Sequence, residues 1–145
     1  MERAPESADS AVARVRESFA RQGLMLHLGA ELIAVADGSV TIALRARPEV
    51  SQQHGFVHGG ATSAIADSAG GYAALTRMPS GSEVLTVDFT LNLLAPASGQ
   101  SVEAVGSVVR SGRTLTVCRL DAWSIDGGQR RHIATGQQTL IRVDR

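Results

Sequence analysis

The chain has 145 residues and sets 14 basic side chains against 14 acidic ones, for a formal net charge of zero. Every basic residue is Arg, and the absence of Lys rules out a Schiff-base lysine, a lysine-dependent P-loop and a Ser-Lys nucleophile pair. Three Phe, one Trp and one Tyr without a basic stripe argue against a dedicated nucleic-acid binder, and 43% hydrophobic residues suit one globular core.

The balance conceals a segregation. Residues 1–109 hold 7 Arg against 11 acids, a difference of −4, whereas residues 110–145 hold 7 Arg against 3 acids, a difference of +4. A basic C-terminal quarter suits an anionic ligand or an acidic partner. The single cysteine, Cys118, excludes an intrachain disulfide and fits a reducing compartment. The acidic start, Met1 to Glu6, lacks the apolar run of a signal peptide, and no stretch approaches the roughly 20 apolar residues that span a bilayer. The expectation is a cytoplasmic protein with no membrane association.

In chain order, residues 1–8 read as a frayed start and 9–145 as a single domain. From Asp9, a candidate N-cap, Val12, Val15 and Phe19 fall on one helical face, and Gly23 is the expected stop. A hairpin follows: a first strand within Leu26–Val35, a turn at Asp37-Gly38, and a cleanly alternating strand Val40–Leu44. Pro48 ends it, and a loop runs through Phe56.

Residues 59–76 are rich in Gly, Ala, Ser and Thr and carry one charge, Asp67. They predict a long helix, small-faced all round and wrapped by a sheet, in which Gly70 and Gly71 admit another backbone. Leu85–Leu93 alternates without exception, placing Leu85, Val87, Phe89, Leu91 and Leu93 opposite Thr86, Asp88, Thr90 and Asn92. Strands at Val102–Arg110, Thr114–Ile125 and His132–Val143, separated by short turns, predict an antiparallel meander. The class is α+β, one antiparallel sheet on one principal helix, with Leu85–Leu93 as an open edge suited to self-pairing.

The chemistry concentrates in Gln52-Gln53-His54-Gly55-Phe56-Val57-His58-Gly59-Gly60 and the helix behind it. Glycines at a helix start leave N–H groups free at the positive end of the helix dipole, in kind an oxyanion or anion site; a tight entry turn needs glycine equally. Asp67, alone in an apolar helix, is either an internal hydrogen-bond partner or a general base or nucleophile. It lies eight positions after Gly59, roughly 12 Å along the axis at 1.5 Å per residue, too far for one carbonyl group to touch both. Either the two serve different purposes or two chains contribute one each.

His58-Gly59-Gly60 with Asp67, Gly71 and Ala73, then Leu85–Phe89 leading to Leu94-Ala95-Pro96-Ala97, resembles the signature of hotdog-fold acyl-CoA thioesterases, the phenylacetyl-CoA thioesterase branch above all. The similarity runs from about Gln52 to the C-terminus. It implies a hotdog fold, an acyl-CoA substrate with a medium-chain or aromatic acyl group, no cofactor beyond the substrate's own coenzyme A, and a homodimer or a dimer of dimers. It also implies that the Gly59 N–H polarises the thioester carbonyl, that His58 orients its loop, and that Asp67 of the partner subunit attacks or activates water. Thr86 matches the strand hydroxyl of the Asp-type branch, while Gln52 stands where that branch often has Asn and resembles instead the 4-hydroxybenzoyl-CoA branch. The turn Arg110–Thr114 offers Ser111, Gly112, Arg113 and Thr114 to the phosphates of coenzyme A.

Other residues carry less. Asp88, expected on the same side as Thr86, rivals Asp67 as base, although an interface ion pair or hydrogen bond is the preferred role for it. His54 and His58, four apart with no third ligand, do not make a metal site. Cys118 reads as core. Two rival functions share the fold: an acyl-CoA-binding module without catalysis, and a hydratase or dehydratase, whose His/Asp or His/Glu pattern is absent here.

Overall fold

The computed structural model describes residues 7–144. The Ser7 hydroxyl accepts from the Ser10 N–H and starts helix α1, Ala8–Ala20, two residues ahead of the expected Asp9 cap; residues 1–6 of the segment expected to fray lie outside the described residues. Gly23 does not stop α1, which ends at the Arg21 C-cap; it opens a second helix instead, α2, Gly23–Leu28. The expected first strand thus begins late, as β1, Glu31–Ala36.

Strand β2, Ser39–Arg45, returns from β1 through Asp37-Gly38, where Gly38 takes a φ of 72° that the turn requires and glycine tolerates. A 3-10 turn at Pro48–Val50 leads to the long helix α3, Gly59–Leu75. Four strands follow: β3, Ser82–Leu93; β4, Ser101–Ser111; β5, Leu115–Asp126; and β6, Gln129–Asp144. All pairs are antiparallel, in the order β1-β2-β4-β5-β6-β3, so the meander is present and β3 is an edge.

The sheet curls around α3. Ile65, Ala66, Ala69 and Ala73 are fully buried with Ile42, Val102, Leu120 and Leu140 of the sheet. Burying one such Ile or Leu side chain contributes about 1.5–3 kcal/mol. Gly70 provides the expected close approach: a Cβ added to Gly106 on β4 would lie 2.3 Å from the Gly70 nitrogen. Gly71 does not; its added Cβ would meet only ordinary contacts with Leu140 and Val84.

The wrapping is incomplete. Ala64, Asp67, Ser68 and Gly71, spaced three, one and three apart, form one half-buried stripe along α3, and Asp67 is its charge. Helix α1 crosses near the far end of α3, where the Arg14 guanidinium donates to the carbonyls of Leu75, Met78 and Pro79 at 2.8, 3.1 and 2.9 Å. Leu75 closes α3, and its carbonyl, like those of the whole last turn, has no donor within the helix.

Strand β3 departs from its flawless alternation. Its register against β6 slips between Thr86 and Asp88, leaving Val87 as a bulge. Thr86 pairs with Leu140, and Phe89 with Gln138, both partners fully buried, so Thr86 shares the helix-facing side with Phe89, Leu91 and Leu93. Asp88 pairs with Thr139 on the opposite side. The expectation that Asp88 faces the same way as Thr86 is therefore overturned, and with it the rivalry of Asp88 as base. No helix among the described residues is long and apolar enough to cross a membrane.

Candidate active site

The loop before α3 is held by its own backbone. Gln52 N–H donates to Phe56 O at 2.9 Å, Gly55 N–H to Gln52 O at 3.0 Å, and His58 N–H to Val50 O at 2.8 Å. The Gln52 side chain joins in: its Oε1 accepts from the His54 and Phe56 N–H groups at 2.5 and 3.4 Å. Its Nε2, with no acceptor among the described residues, remains a free donor.

His58 is the N-cap of α3. Its Nδ1 accepts from the Gly60 N–H at 2.7 Å, which in the neutral ring leaves the proton on Nε2. The Ala61 and Thr62 N–H groups both bond the His58 carbonyl. Gly59, half-buried, is the first helical residue, and its N–H has no acceptor among the described residues. Gln52 and Gly59 line one cleft of about 390 Å³, walled by Phe56, Leu93, Pro96 and Ile133. His54, exposed, lies outside that lining.

Asp67 lines a second cleft, of about 320 Å³, with Thr86, Ser68, Tyr72 and Glu83. The Thr86 hydroxyl donates to Asp67 Oδ1 at 2.6 Å. Gln138 on β6, fully buried, donates through Nε2 to the same Oδ1 at 2.5 Å, to the Asp67 carbonyl at 3.0 Å and to Thr86 Oγ1 at 3.1 Å. Oδ2 is left without a partner among the described residues. Above Asp67, Tyr72 bonds Ser18 and Gln22 of the N-terminal region at 3.1 and 2.8 Å, and Ser68 donates to Gln22 at 3.3 Å.

The sequence-predicted residues thus fall into two groups. Gln52, His58 and Gly59 gather at the N-terminus of α3; Asp67 and Thr86 meet two turns further on; the clefts share no lining residue. The Arg110–Thr114 turn touches neither cleft. Its Gly112 N–H is committed to the Leu115 carbonyl at 2.8 Å, which corrects the expectation of a free donor there. Thr116 and Thr86 both pair with Leu140, so the turn stands beyond the Asp67 end of the sheet, about 10 Å across two strand spacings.

Gln22, Tyr72 and Gln138 were absent from the expected site. Gln138 carries a readable signal: Ala134, Gly136, Gln138 and Leu140 form one parity of β6, and a Gln at a core-facing position asks for a partner. Cys118 is fully buried, and burial pushes its thiol from 9.0 to about 12. In the native protein at pH 8 it stays protonated, so iodoacetamide should leave it unmodified over hours and label it within minutes once guanidinium unfolds the chain; mass spectrometry reads both states.

The thioesterase superfamily model matches residues 54–130, more than half of the chain. A crystal structure of a thioesterase family protein from Silicibacter pomeroyi is similar at 41% identity and a TM-score of 0.90, covering 93% of this chain and 99% of that one. The Escherichia coli PaaI protein of the phenylacetic acid degradation operon shares the fold at a TM-score of 0.84 and 18% identity, over 95% of this chain and 96% of that one. The 1,4-dihydroxy-2-naphthoyl-CoA hydrolase of Listeria monocytogenes is 25% identical over 95 residues, 66% of this chain and 77% of that one. An antiparallel sheet wrapped on one long helix agrees with these matches: the chain belongs to the hotdog-fold thioesterase superfamily and is a thioester hydrolase.

Proposed function

We propose that the protein hydrolyses a medium-chain or aromatic acyl-CoA to the free acid and coenzyme A, at a site assembled from two copies of the chain. The run of β3 beside α3 carries this reading. At one end of β3, Thr86 bonds Asp67; at the other, Leu93 lies against Gly59, whose added Cβ would be 2.8 Å from Leu93 Cδ1. Edge strand β3 exposes Leu85, Val87, Phe89 and Leu93. Antiparallel pairing of β3 with its copy, centred on Thr90, sets Phe89 opposite the partner's Leu91 and, across the Val87 bulge, Thr86 opposite the partner's Leu93, which exchanges the two ends. It sets Asp67 of one subunit beside the partner's Gly59 and covers that apolar edge.

In the assembled site the thioester carbonyl takes the Gly59 N–H and the free Gln52 Nε2 as donors, at the positive end of the α3 dipole. Asp67 Oδ2 approaches the carbonyl carbon from the other subunit. It either attacks, releasing the thiolate and leaving an anhydride for water to cleave, or takes a proton from water as the hydroxide adds; both routes consume one water and yield acid and thiol. Neither needs a metal or a further cofactor. Arg113, with Ser111 and Thr114 in the exposed turn, is the proposed contact for the phosphates of coenzyme A. We place the reaction in the cytoplasm, where the lone thiol Cys118 stays reduced.

Thiol release measured against short, medium, long and aromatic acyl-CoAs tests the reading. The expected optimum lies with aromatic or medium acyl groups, in clefts of about 320 and 390 Å³ per chain. Binding across the panel without release of thiol would leave a non-catalytic acyl-CoA module.

A further inference from the structure

Gln138 is a polar residue placed where the fold calls for an apolar one. It faces the core from β6, with no exposed surface, between Gly136 and Leu140. Its Nε2 faces three acceptors: the Asp67 carbonyl, Asp67 Oδ1 and Thr86 Oγ1. The opposite end, Oε1, is buried without a hydrogen-bond partner. A flipped amide would set an oxygen against those three acceptors, so the amide orientation is fixed. A buried acceptor left unpaired is a cost that an apolar residue of the same size would avoid. The space for Oε1 exists because α3 has a glycine beside it: a Cβ on Gly70 would lie 1.8 Å from that oxygen. The fold therefore accommodates Gln138 at two positions on two elements.

We propose that Gln138 is a positioning residue for the hydrolytic carboxylate, and this rests on the assignment of Asp67 given above. One amide nitrogen anchors the backbone and one carboxylate oxygen of the same residue, and it also holds the Thr86 oxygen so that the Thr86 hydroxyl proton turns toward Oδ1. Two donors thus hold Oδ1, and χ rotation of Asp67 is restrained. Oδ2, free of partners, is the oxygen presented to the thioester or the water. Gln138 itself touches no reacting atom; it lines neither of the two clefts.

The test combines Gln138→Met, which keeps length and flexibility while deleting donor and unpaired acceptor, with Gln138→Glu, which keeps the shape and replaces the donor by an acceptor. For the best acyl-CoA of the panel, each variant is expected to lose kcat by on the order of 100-fold, the scale of a misplaced reacting group, with KM within about threefold of the parent. The thermal midpoint of Gln138→Met should not fall. Combined with Asp67→Asn, either substitution should cause no further loss, because the group it positions is already gone. A wild-type kcat in both variants overturns the proposal. So does a loss of kcat that tracks a loss of melting temperature, or one that adds fully to Asp67→Asn, since either marks a merely structural role. Full activity in Asp67→Asn alone would instead sink the assignment of Asp67, so the two failures are told apart.

Discussion

Asp67→Asn should lower kcat for thioester hydrolysis by about 10³-fold, within the range a general base or activated carboxylate supplies, while leaving fold and KM largely intact. The amide conserves the shape, and its oxygen still accepts from Thr86 and Gln138, so the network around Oδ1 survives. What disappears is the unpartnered Oδ2, replaced by an NH₂ group that neither attacks a carbonyl nor takes a proton from water. Steady-state thiol release, with circular dichroism to verify folding, provides the measurement. Thiol release at the parental rate would remove Asp67 from the mechanism. A single turnover in ¹⁸O-water tests the nucleophilic role: label in the Asp67 side chain marks attack by Asp67 and opening of the anhydride at its own carbonyl, whereas label in the released acid alone is common to a general base and to an anhydride opened at the acyl carbon.

Mixing two inactive variants should restore activity. Gly59→Pro is the cleanest way to delete one proposed oxyanion donor. Proline lacks the N–H, suits the first position of a helix, and is preceded here by His58 at ψ 137°, a conformation proline accepts in its neighbour. Among the described residues, a Cβ at position 59 would meet only the tip of the flexible Leu93 side chain. Losing one such donor costs about 10²–10³-fold in kcat. In a mixed dimer of Gly59→Pro and Asp67→Asn chains, one site combines both defects and the other combines an intact Gly59 with an intact Asp67. Random reassortment makes half of the dimers mixed, each with one sound site of two. Co-refolded protein should therefore recover about a quarter of parental activity, against less than a hundredth for either variant alone. No recovery, with mixed dimers demonstrated by tagged pull-down, would mean that each site lies within one chain.

Most of the fold was legible because its signals are short-ranged. Asp37-Gly38 marks a two-residue turn in any context, and the small residues of α3 can be enclosed only by something that approaches closely. Two elements were not legible for a physical reason. Leu24, Leu26 and Leu28 alternate as a strand would, yet Gly23–Leu28 is helical, because Gly29 at φ 69° closes the turn and lets the Ala30 N–H reach the Met25 carbonyl. Leu24 and Leu26 are the exposed pair, at 55% and 80%, and Met25 between them is the buried one.

The bulge at Val87 was also hidden, since alternation along one strand carries no record of how its neighbour pairs. At the site, glycine at the helix start and a lone acid were visible as types, and their spacing left two readings, separate purposes or one contribution from each of two chains. The partners of the acid were less so. Thr86 came through resemblance; Gln138, more than seventy residues away in sequence, is joined to Asp67 only when the sheet closes.

The displaced residue in β3 has an evolutionary consequence. Thr86 and Phe89 stand three residues apart, and Thr86 faces the helix together with Phe89, Leu91 and Leu93 because Val87 is looped out of the ladder. Removal of the Val87 codon would leave Thr86 opposite Leu140, Asp88 opposite Thr139 and Phe89 opposite Gln138, a regular ladder with the hydroxyl and the apolar wall both still inward. The gene can therefore lose this one residue and keep the hydroxyl beside Asp67, whereas a one-residue change of length between Phe89 and Leu93 has no such slack and would turn part of the apolar wall outward.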